Sequence, residues 1–532
     1  MQCCTAALRA VPSTLMYAIE HPEQDLPLFG AASTRRIEQR HTLALPPHTL
    51  MRRAGRAVAR LALALAPHAR CIWVAAGPGN NGGDGIEAAT LLHLHGRTVR
   101  VTLCGDPQHL PKDAHEALGR AQAAGVPLQP QGCPPLDSED LAIDALLGIG
   151  ATREPDGSIA ALIAHLNALP CSVLAVDVPT GLHVDTGQPI GQSCVVARHT
   201  LSLLTLKPGL FTGMGRDHAG AVWFEPLDAA LRPEADDPPD AWLTGTQTAL
   251  ASVPTRRHAQ HKGSFGDVAI VGGATGMTGA AVLAARAAHA AGAGRVFVQI
   301  LDEAMPAHDP QRPELMFRSD WVNGPGHVVD AATVACGCGG ADAVRVTLPR
   351  LLGRACRLVL DADALNAIAA DAQLQTLLSA RAAAGRPTVI TPHPLEAARL
   401  LTATSVQVQA DRLAAAQALA RRFGCVVLLK GSGSVIAAPD RPPMVNPTGN
   451  ASLAGAGTGD VLAGWLAGMW AQCRDEEAHR SGFSSAAAAA FLHGAAADPS
   501  GQISVRANDL IERIQAVWAN GHFLPRRTPG PG

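Results

Sequence analysis

Two well-separated groups of glycines and acids have the residue types and spacing for chemistry on a phosphate-bearing ligand. Asn80-Asn81-Gly82-Gly83-Asp84-Gly85 follows the apolar run 71–76, and Gly457-Thr458-Gly459-Asp460 opens a helical pattern over 460–470. A glycine-rich turn at a helix start offers unpaired N–H groups and the positive helix end to an anion. The neighbouring carboxylate can move a proton. Glycines also occur wherever a backbone turns tightly, but Asn80, Asn81 and Asp84 add amide and carboxylate oxygens that a turn alone does not need. Asp460 could simply cap its own helix. A Gly-x-Gly run is unnecessary for a cap, and suits a base that deprotonates a hydroxyl while amides stabilise a phosphoryl group in transfer.

Other strand ends carry matching groups. Asp144 lies in the apolar run 141–147, which continues through Gly148, Ile149, Gly150, Ala151 and Thr152, and Asp177 and Thr180 lie in Val176-Asp177-Val178-Pro179-Thr180-Gly181. Either Asp alone could be a cap or turn former. Together, Asn81, Asp144 and Thr180 offer hard oxygen ligands to a cation, and Asp177 is left as the acid/base group. Near the second group, Lys430-Gly431-Ser432-Gly433-Ser434 follows the run 425–429 and could bind a nucleotide's phosphate or ribose, or merely form a hairpin. His393 could contact substrate or be structural. Asp361 and Asp363 could order a Mg-nucleotide through water, or cap a helix.

These residues need sheets to position them. Runs at 71–76, 99–103, 141–147 and 172–178 alternate with helical patterns at 47–66, 86–95, 112–124 and 158–169, a βαβ arrangement that predicts a Rossmann-like α/β three-layer sandwich. A second α/β series has apolar runs at 267–271, 295–301, 332–336, 357–360, 387–391 and 425–429. The proline- and acid-rich stretch between them reads as a linker. The expected division is an extension over 1–30, a first domain over 31–228, a linker over 229–246, a second domain over 247–522 and a tail over 523–532. Hydrophobic residues at 47%, charged residues at 17% and a net charge of −2 suit a folded cytoplasmic protein and give no basic field for nucleic acid. The 12 cysteines show no zinc spacing and read as reduced thiols. The start of the chain does not read as a signal peptide, and no segment has the sustained apolar length of a membrane span.

NNGGDG, DALLGIG and VDVPTG, in that order over about 33–225, resemble the N-terminal domain of NAD(P)H-hydrate (NAD(P)HX) epimerases. The resemblance implies that Asn80, Asn81, Gly82, Gly83 and Asp84, then Gly148, Ile149, Gly150, Ala151, Thr152, Arg153 and Glu154, bind the hydrated nucleotide. It places K⁺ at Asn81, Asp144 and Thr180, and makes Asp177 the substrate-touching proton-transfer group. Thr180 stands where relatives commonly have Ser. HKGSFG, GGATGMTGAA, GCGGA, DADALN, TPHPLE, KGSGS and GNASLAGAGTGDVLAG, over about 245–520, are similar to the ADP-dependent NAD(P)H-hydrate dehydratases, which implies a ribokinase-like fold. There Ala281, Gly339, His393 and Asp460 would contact the hydrate, Lys430, Gly431, Ser432, Gly433, Ser434 and Gly459 the nucleotide, and Asp460 would be the catalytic base. Mg²⁺ would accompany ADP.

Relatives usually carry a GPGLG-like turn where this chain reads Gly337-Cys338-Gly339-Gly340-Ala341. If the last position needs positive φ, Ala341 carries a cost of about 1 kcal/mol. The implied function is repair of NADHX and NADPHX. Alternatives are a small-molecule kinase of the same fold and a noncatalytic first domain that only binds nucleotides. The family resemblance also implies a homo-oligomer, and the Ala-rich helices are candidates for packing between subunits.

Overall fold

The computed structural model describes residues 16–520, apart from 131, 230–236, 252–255, 303–307, 474–477 and 501–502. Residues 1–15 of the expected extension, 230–236 of the expected linker and the tail over 523–532 lie outside the described residues. The chain divides into two compact units. Pro27–Ala241 and the residues up to Glu20 form the first, and His21–Leu26 joins Trp242 onward in the second. Within the second unit the Asp25 carboxylate accepts the Gly245 N–H and the Thr248 hydroxyl, both at 2.7 Å.

In the first unit the sheet runs Tyr17–Ala18, Ala221–Glu225, His199–Leu203, Ser172–Val176, Leu141–Ala145, Ile72–Ala76, Val99–Leu103, Leu128–Gln129, parallel except for its first strand. Ile72–Ala76 and Leu141–Ala145 are buried at every position, which is why they read as unbroken apolar runs. Val74 and Ile143 pack beneath the helices Thr49–Leu65, Asn80–Leu94 and Lys112–Ala123; Trp73 and Ala142 pack on the other face against Gly157–Ala168. From Ile72–Ala76 the chain steps first to Val99–Leu103 on one side and later to Leu141–Ala145 on the other. The carboxyl ends of Ile72–Ala76 and Leu141–Ala145 therefore flank a topological switch point, where open α/β sheets bind ligands.

The segment expected as a turn before the helix is the helix's own first turns, since Asn80–Leu94 begins at Asn80. Contact, not backbone freedom, demands its glycines. A Cβ at Gly82 would stand 2.0 Å from the Gly77 carbonyl oxygen, at Gly83 2.7 Å from Met51 Cε, and at Gly85 2.5 Å from Ala145 Cβ.

The second unit is built on a sheet in the order Met316–Phe317, Arg295–Ile300, Asp267–Gly272, Thr333–Cys336, Arg357–Leu360, Thr388–Ile390, Val426–Leu429, Val435–Ala438, Arg441–Val445. It is parallel as far as Val426–Leu429; Val435–Ala438 and Arg441–Val445 continue it as antiparallel hairpins, and Trp242 and Leu243 then pair in parallel with Met444 and Val445. One face is covered by Thr278–Ala290, Thr458–Ala471 and Ala478–Ala495, the other by Val344–Arg354, Asp363–Ala369, Pro394–Leu401 and Arg412–Phe423. The Ala-rich helix Thr278–Ala290 packs into this core. Ala281, Ala284, Ala285, Ala287 and Ala288 are fully buried, and a Cβ at Gly464 would lie 2.0 Å from the Ala284 carbonyl oxygen. Small residues on both partners let Thr278–Ala290 and Thr458–Ala471 approach closely. No helix among the described residues is long and apolar enough to cross a membrane.

Candidate active sites

At the first unit's switch point lies a cavity of about 720 Å³, lined by Asn80, Asn81, Asp84, Asp177, Lys207 and the stretch 146–156. The expected loop Gly148, Ile149, Gly150, Ala151, Thr152, Arg153 and Glu154 therefore shares one space with Asn80, Asn81, Asp84 and Asp177. Gly82 and Gly83 do not line it; they seat the helix against Gly77, Met51 and Ala114. Thr34, Arg35 and Glu38 enter from the helix Ala31–Ala44, which is too polar to have shown a helical apolar face in the sequence.

Asp177 sits at φ +69°, a left-handed backbone that Asp tolerates better than most residues. Its carboxylate accepts the Leu203 N–H at 3.1 Å and forms an ion pair with the Lys207 ammonium. Lys207 has no exposed side-chain surface and also donates to the Leu203 carbonyl at 2.7 Å. A lone lysine within the apolar stretch 201–210 was the only sequence sign of it. Burial, reinforced by the charges of Asp177, Glu38, Glu87 and Asp113, pushes the Asp84 carboxyl well above the carboxylate range. Burial and the Asp177 charge likewise raise Glu38. The cavity thus sets two acids whose ionisation burial disfavours against a carboxylate bound to lysine, an arrangement suited to acid/base chemistry.

Asp144 is fully buried and accepts the Thr180 N–H at 2.8 Å, the Thr180 hydroxyl at 2.6 Å and the Leu146 N–H at 3.2 Å. Among the described residues no cation pairs with it, and burial lifts its carboxyl to about 6. The nearby Asn81 amide is packed against Gly148 and leaves its Nδ2 end without a partner. A buried carboxylate with no paired cation, beside the Thr180 hydroxyl, fits a monovalent cation, to which Asn81 would add its amide oxygen and not the unpartnered Nδ2, which is a donor.

In the second unit Gly457, at φ +87°, caps Thr458–Ala471 and puts Asp460 in its first turn. The Thr458 hydroxyl donates to the Leu453 and Gly455 carbonyls at 2.9 Å, pinning the turn. Burial, then the Asp361 charge, raises Asp460 to about 6. Facing it, Lys430 Nζ lies 2.6 Å from Asp361 Oδ1 and 4.0 Å from Glu396 Oε2. A Cβ at Gly459 would lie 3.5 Å from Lys430 Nζ, so Gly459, Lys430, Asp361 and Asp460 converge.

The loop Lys430, Gly431, Ser432, Gly433 and Ser434 is also the hairpin connection between Val426–Leu429 and Val435–Ala438. Buried Arg412, which carried no motif in the sequence, holds it through the Leu429 and Lys430 carbonyls at 3.3 and 3.2 Å. His393 caps Pro394–Leu401: its Nδ1 accepts the Leu395 and Glu396 N–H groups, while the Glu396 carboxylate takes the His393 N–H at 2.7 Å. Burial and Lys430 lower the His393 pKa, consistent with a neutral ring accepting at Nδ1. Gly339, at φ +58°, lies against Met277, whose carbonyl oxygen would be 2.6 Å from its Cβ. Ala281 is buried, its methyl against Gly273, the glycine that follows the strand Asp267–Gly272. Ala341 does sit at positive φ, +43°, with its N–H donated to Asp363 at 2.8 Å.

A family model described as YjeF-related protein N-terminus matches residues 47–209, and one described as NAD(P)H-hydrate dehydratase matches 268–516. Over 499 residues the chain is 34% identical to a bifunctional NAD(P)H-hydrate repair enzyme of Escherichia coli K12, covering 90% of this chain and 91% of that one. The chain belongs to the bifunctional NAD(P)H-hydrate repair enzyme family. A repair enzyme of Leishmania braziliensis is 36% identical over 88% of this chain and 89% of its own. The crystal structure of an ADP/ATP-dependent NAD(P)H-hydrate dehydratase from Bacillus subtilis, co-crystallised with ATP and Mg²⁺, is 29% identical and covers 52% of this chain and 96% of that one, with a TM-score of 0.43. Lys207, Glu38 and Arg412 lie outside every motif quoted from the sequence, and Glu396 closes the TPHPLE motif without having been singled out.

Proposed function

We propose that the chain repairs NADH and NADPH whose nicotinamide ring has gained water. The first unit interconverts the R and S hydrates. The second dehydrates the S hydrate at the expense of ADP, giving AMP and phosphate. The observation that carries this reading is the coexistence, in one chain, of the Asp84/Asp177/Lys207 cavity and the Asp460 turn facing Lys430.

In the first unit Asp177, held in place by Lys207, takes the proton of the hydrate's hydroxyl as the ring carbon–nitrogen bond opens to an aldehyde, and returns it when the ring closes on the other face; Asp84, whose ionisation burial disfavours, would hydrogen-bond the substrate. K⁺, held by Asn81, Asp144 and Thr180, would neutralise the buried carboxylate beside the substrate. In the second unit Asp460 takes the proton of the hydrate's hydroxyl, which attacks the β-phosphorus of ADP, so that a C–O–P linkage forms as the P–O bond to AMP breaks. The helix N-terminus and Lys430 stabilise the transferring group; the carbon–oxygen bond then breaks with phosphate as leaving group while the neighbouring ring carbon gives up a proton, and the double bond of the dihydropyridine forms. Mg²⁺ bound with ADP, its waters ordered by Asp361 and Asp363, would neutralise phosphate charge. A cytoplasmic location fits the substrates, and a homo-oligomer is proposed from the family resemblance.

The test follows the near-ultraviolet absorbance of NADH when the protein, Mg²⁺, K⁺ and ADP meet a mixture of R and S hydrates, with Asp460→Asn in parallel. Recovery from both epimers, lost in the variant, is expected. Recovery that stops when the S epimer is consumed would leave the first unit a binding module. A phosphorylated product that accumulates would mark a kinase.

A further inference from the structure

The turn after the strand Thr333–Cys336 brings a thiol into the phosphoryl-transfer site. Cys338 is 1% exposed and Asp361 2% exposed. The Cys338 sulfur, an Asp361 oxygen and an Asp460 oxygen all lie within 4.8 Å of one another. The backbone fixes this cluster from three sides. Gly337 and Gly339 flank Cys338 at φ +121° and +58°, the Asp361 N–H donates to the Cys336 carbonyl at 3.1 Å, and Asp460 stands in the first turn of Thr458–Ala471.

We propose that Cys338, Asp361 and Asp460 form a site for one thiophilic divalent cation, Zn²⁺ in particular, that competes at Asp361 with the Mg²⁺ that travels with ADP. Zinc–sulfur bonds of about 2.3 Å and zinc–oxygen bonds of about 2.0–2.2 Å put ligand atoms up to about 4 Å apart, so small side-chain rotations close the cluster around an ion. The donor set selects the metal. Mg²⁺ is a hard cation that prefers six oxygens, whereas thiolate with carboxylate suits zinc. Lys430 Nζ, 2.6 Å from Asp361 Oδ1, already neutralises one carboxylate and must swing away to admit a dication. An incoming zinc ion would take over that carboxylate and displace the Cys338 thiol proton to solvent. With Asp460 bound to metal, its oxygen is unavailable to the substrate hydroxyl, and dehydration stops. This last consequence rests on the proposed role of Asp460; metal binding itself does not.

The full-length protein is titrated with Cd²⁺ alone, as a spectroscopic stand-in for Zn²⁺, and the ligand-to-metal charge-transfer band of a cadmium–thiolate bond is followed. Cys338→Ser and Cys338→Ala are run beside it, with folding checked by thermal melting. There are ten free cysteines among the described residues, so the difference between wild type and variant is what counts. The wild-type protein is expected to bind one more Cd²⁺ per chain than either folded variant, with the corresponding band. Zn²⁺ inhibition of NADH recovery is expected to weaken by at least about tenfold in the variants, the scale seen when even an outer-sphere partner of a metal is lost. Equal binding and an equal band in wild type and variants would overturn the site. Binding that depends on Cys338 without any inhibition by Zn²⁺ would uphold the site and overturn Asp460 as the base.

Discussion

The Lys207 ammonium is seated on the Asp177 carboxylate with none of the lysine side chain exposed, thirty residues apart in sequence and joined by the loop that follows the strand His199–Leu203. Lys207→Met removes the charge and keeps most of the bulk. Epimerisation is expected to fall by about 10²–10⁴-fold, the range of a lost acid/base group, while dehydration of the S hydrate by the other unit continues. Breaking a buried pair also costs about 3–5 kcal/mol, so a melting curve of the first unit accompanies the assay. Undiminished epimerisation in a folded variant would remove Lys207 from the mechanism.

Potassium should stabilise the first unit in a pH-dependent way. Burial holds Asp144 at about 6, above its ordinary value. Such a group favours folding fully at pH below its unfolded value, and that contribution is lost as pH rises through about 6. A cation bound to the carboxylate cancels the cost of ionising it. Replacing Na⁺ with K⁺ should therefore raise the first unit's melting temperature more near neutral pH than at about pH 5. Asp144→Asn should abolish the difference between the ions. An equal gain from K⁺ at both pH values, or a gain that survives in the variant, would place the cation elsewhere.

The strands were largely legible because parallel strands buried on both faces leave unbroken apolar runs, and Val99–Leu103 and Arg357–Leu360 match their expected bounds. The motifs were legible as chemistry but less so as geometry. Asn80 to Gly85 reads as a turn because glycine is rare inside helices, yet here contact with a loop carbonyl at Gly82, with neighbouring helices at Gly83 and with a strand at Gly85 excludes a Cβ. Lys207 and Arg412 escaped because their meaning lies in partners distant in sequence, the Asp177 carboxylate and the Leu429 and Lys430 carbonyls. His393 combined two readings that the sequence left apart, since it caps a helix beside Lys430.

At Ala341 the expected positive φ is observed, +43°. Ala341→Gly relieves the steric cost but gives the unfolded chain more freedom, and the two effects partly cancel. A net gain of up to about 1 kcal/mol in denaturant unfolding of the second unit is expected. A loss would mean that the added freedom of the unfolded chain outweighs the strain relieved.

Close helix packing makes Gly464 irreplaceable. Gly464→Ala would press a methyl to 2.0 Å from the Ala284 carbonyl oxygen, and overpacking of this kind costs about 1–3 kcal/mol. Gly353, in the helix Val344–Arg354, has open space around its would-be Cβ. Gly353→Ala should stabilise by about 0.5–1 kcal/mol through helix propensity. Opposite signs for the two substitutions in the same unit are the expected result; two losses or two gains would contradict the packing.

The dehydration step should titrate with Asp460. Burial and the Asp361 charge put its carboxyl at about 6, and a general base works only when ionised. At saturating ADP, the rate is expected to be flat above about pH 6 and to fall about tenfold per unit below it. Lys430 acts in the opposite direction to burial, lowering the Asp460 value. Lys430→Met should therefore move the inflection to higher pH, apart from any loss of nucleotide affinity. Reading the inflection instead of the rate separates the two effects, because a lysine that only binds phosphate would change affinity and leave the inflection where it was.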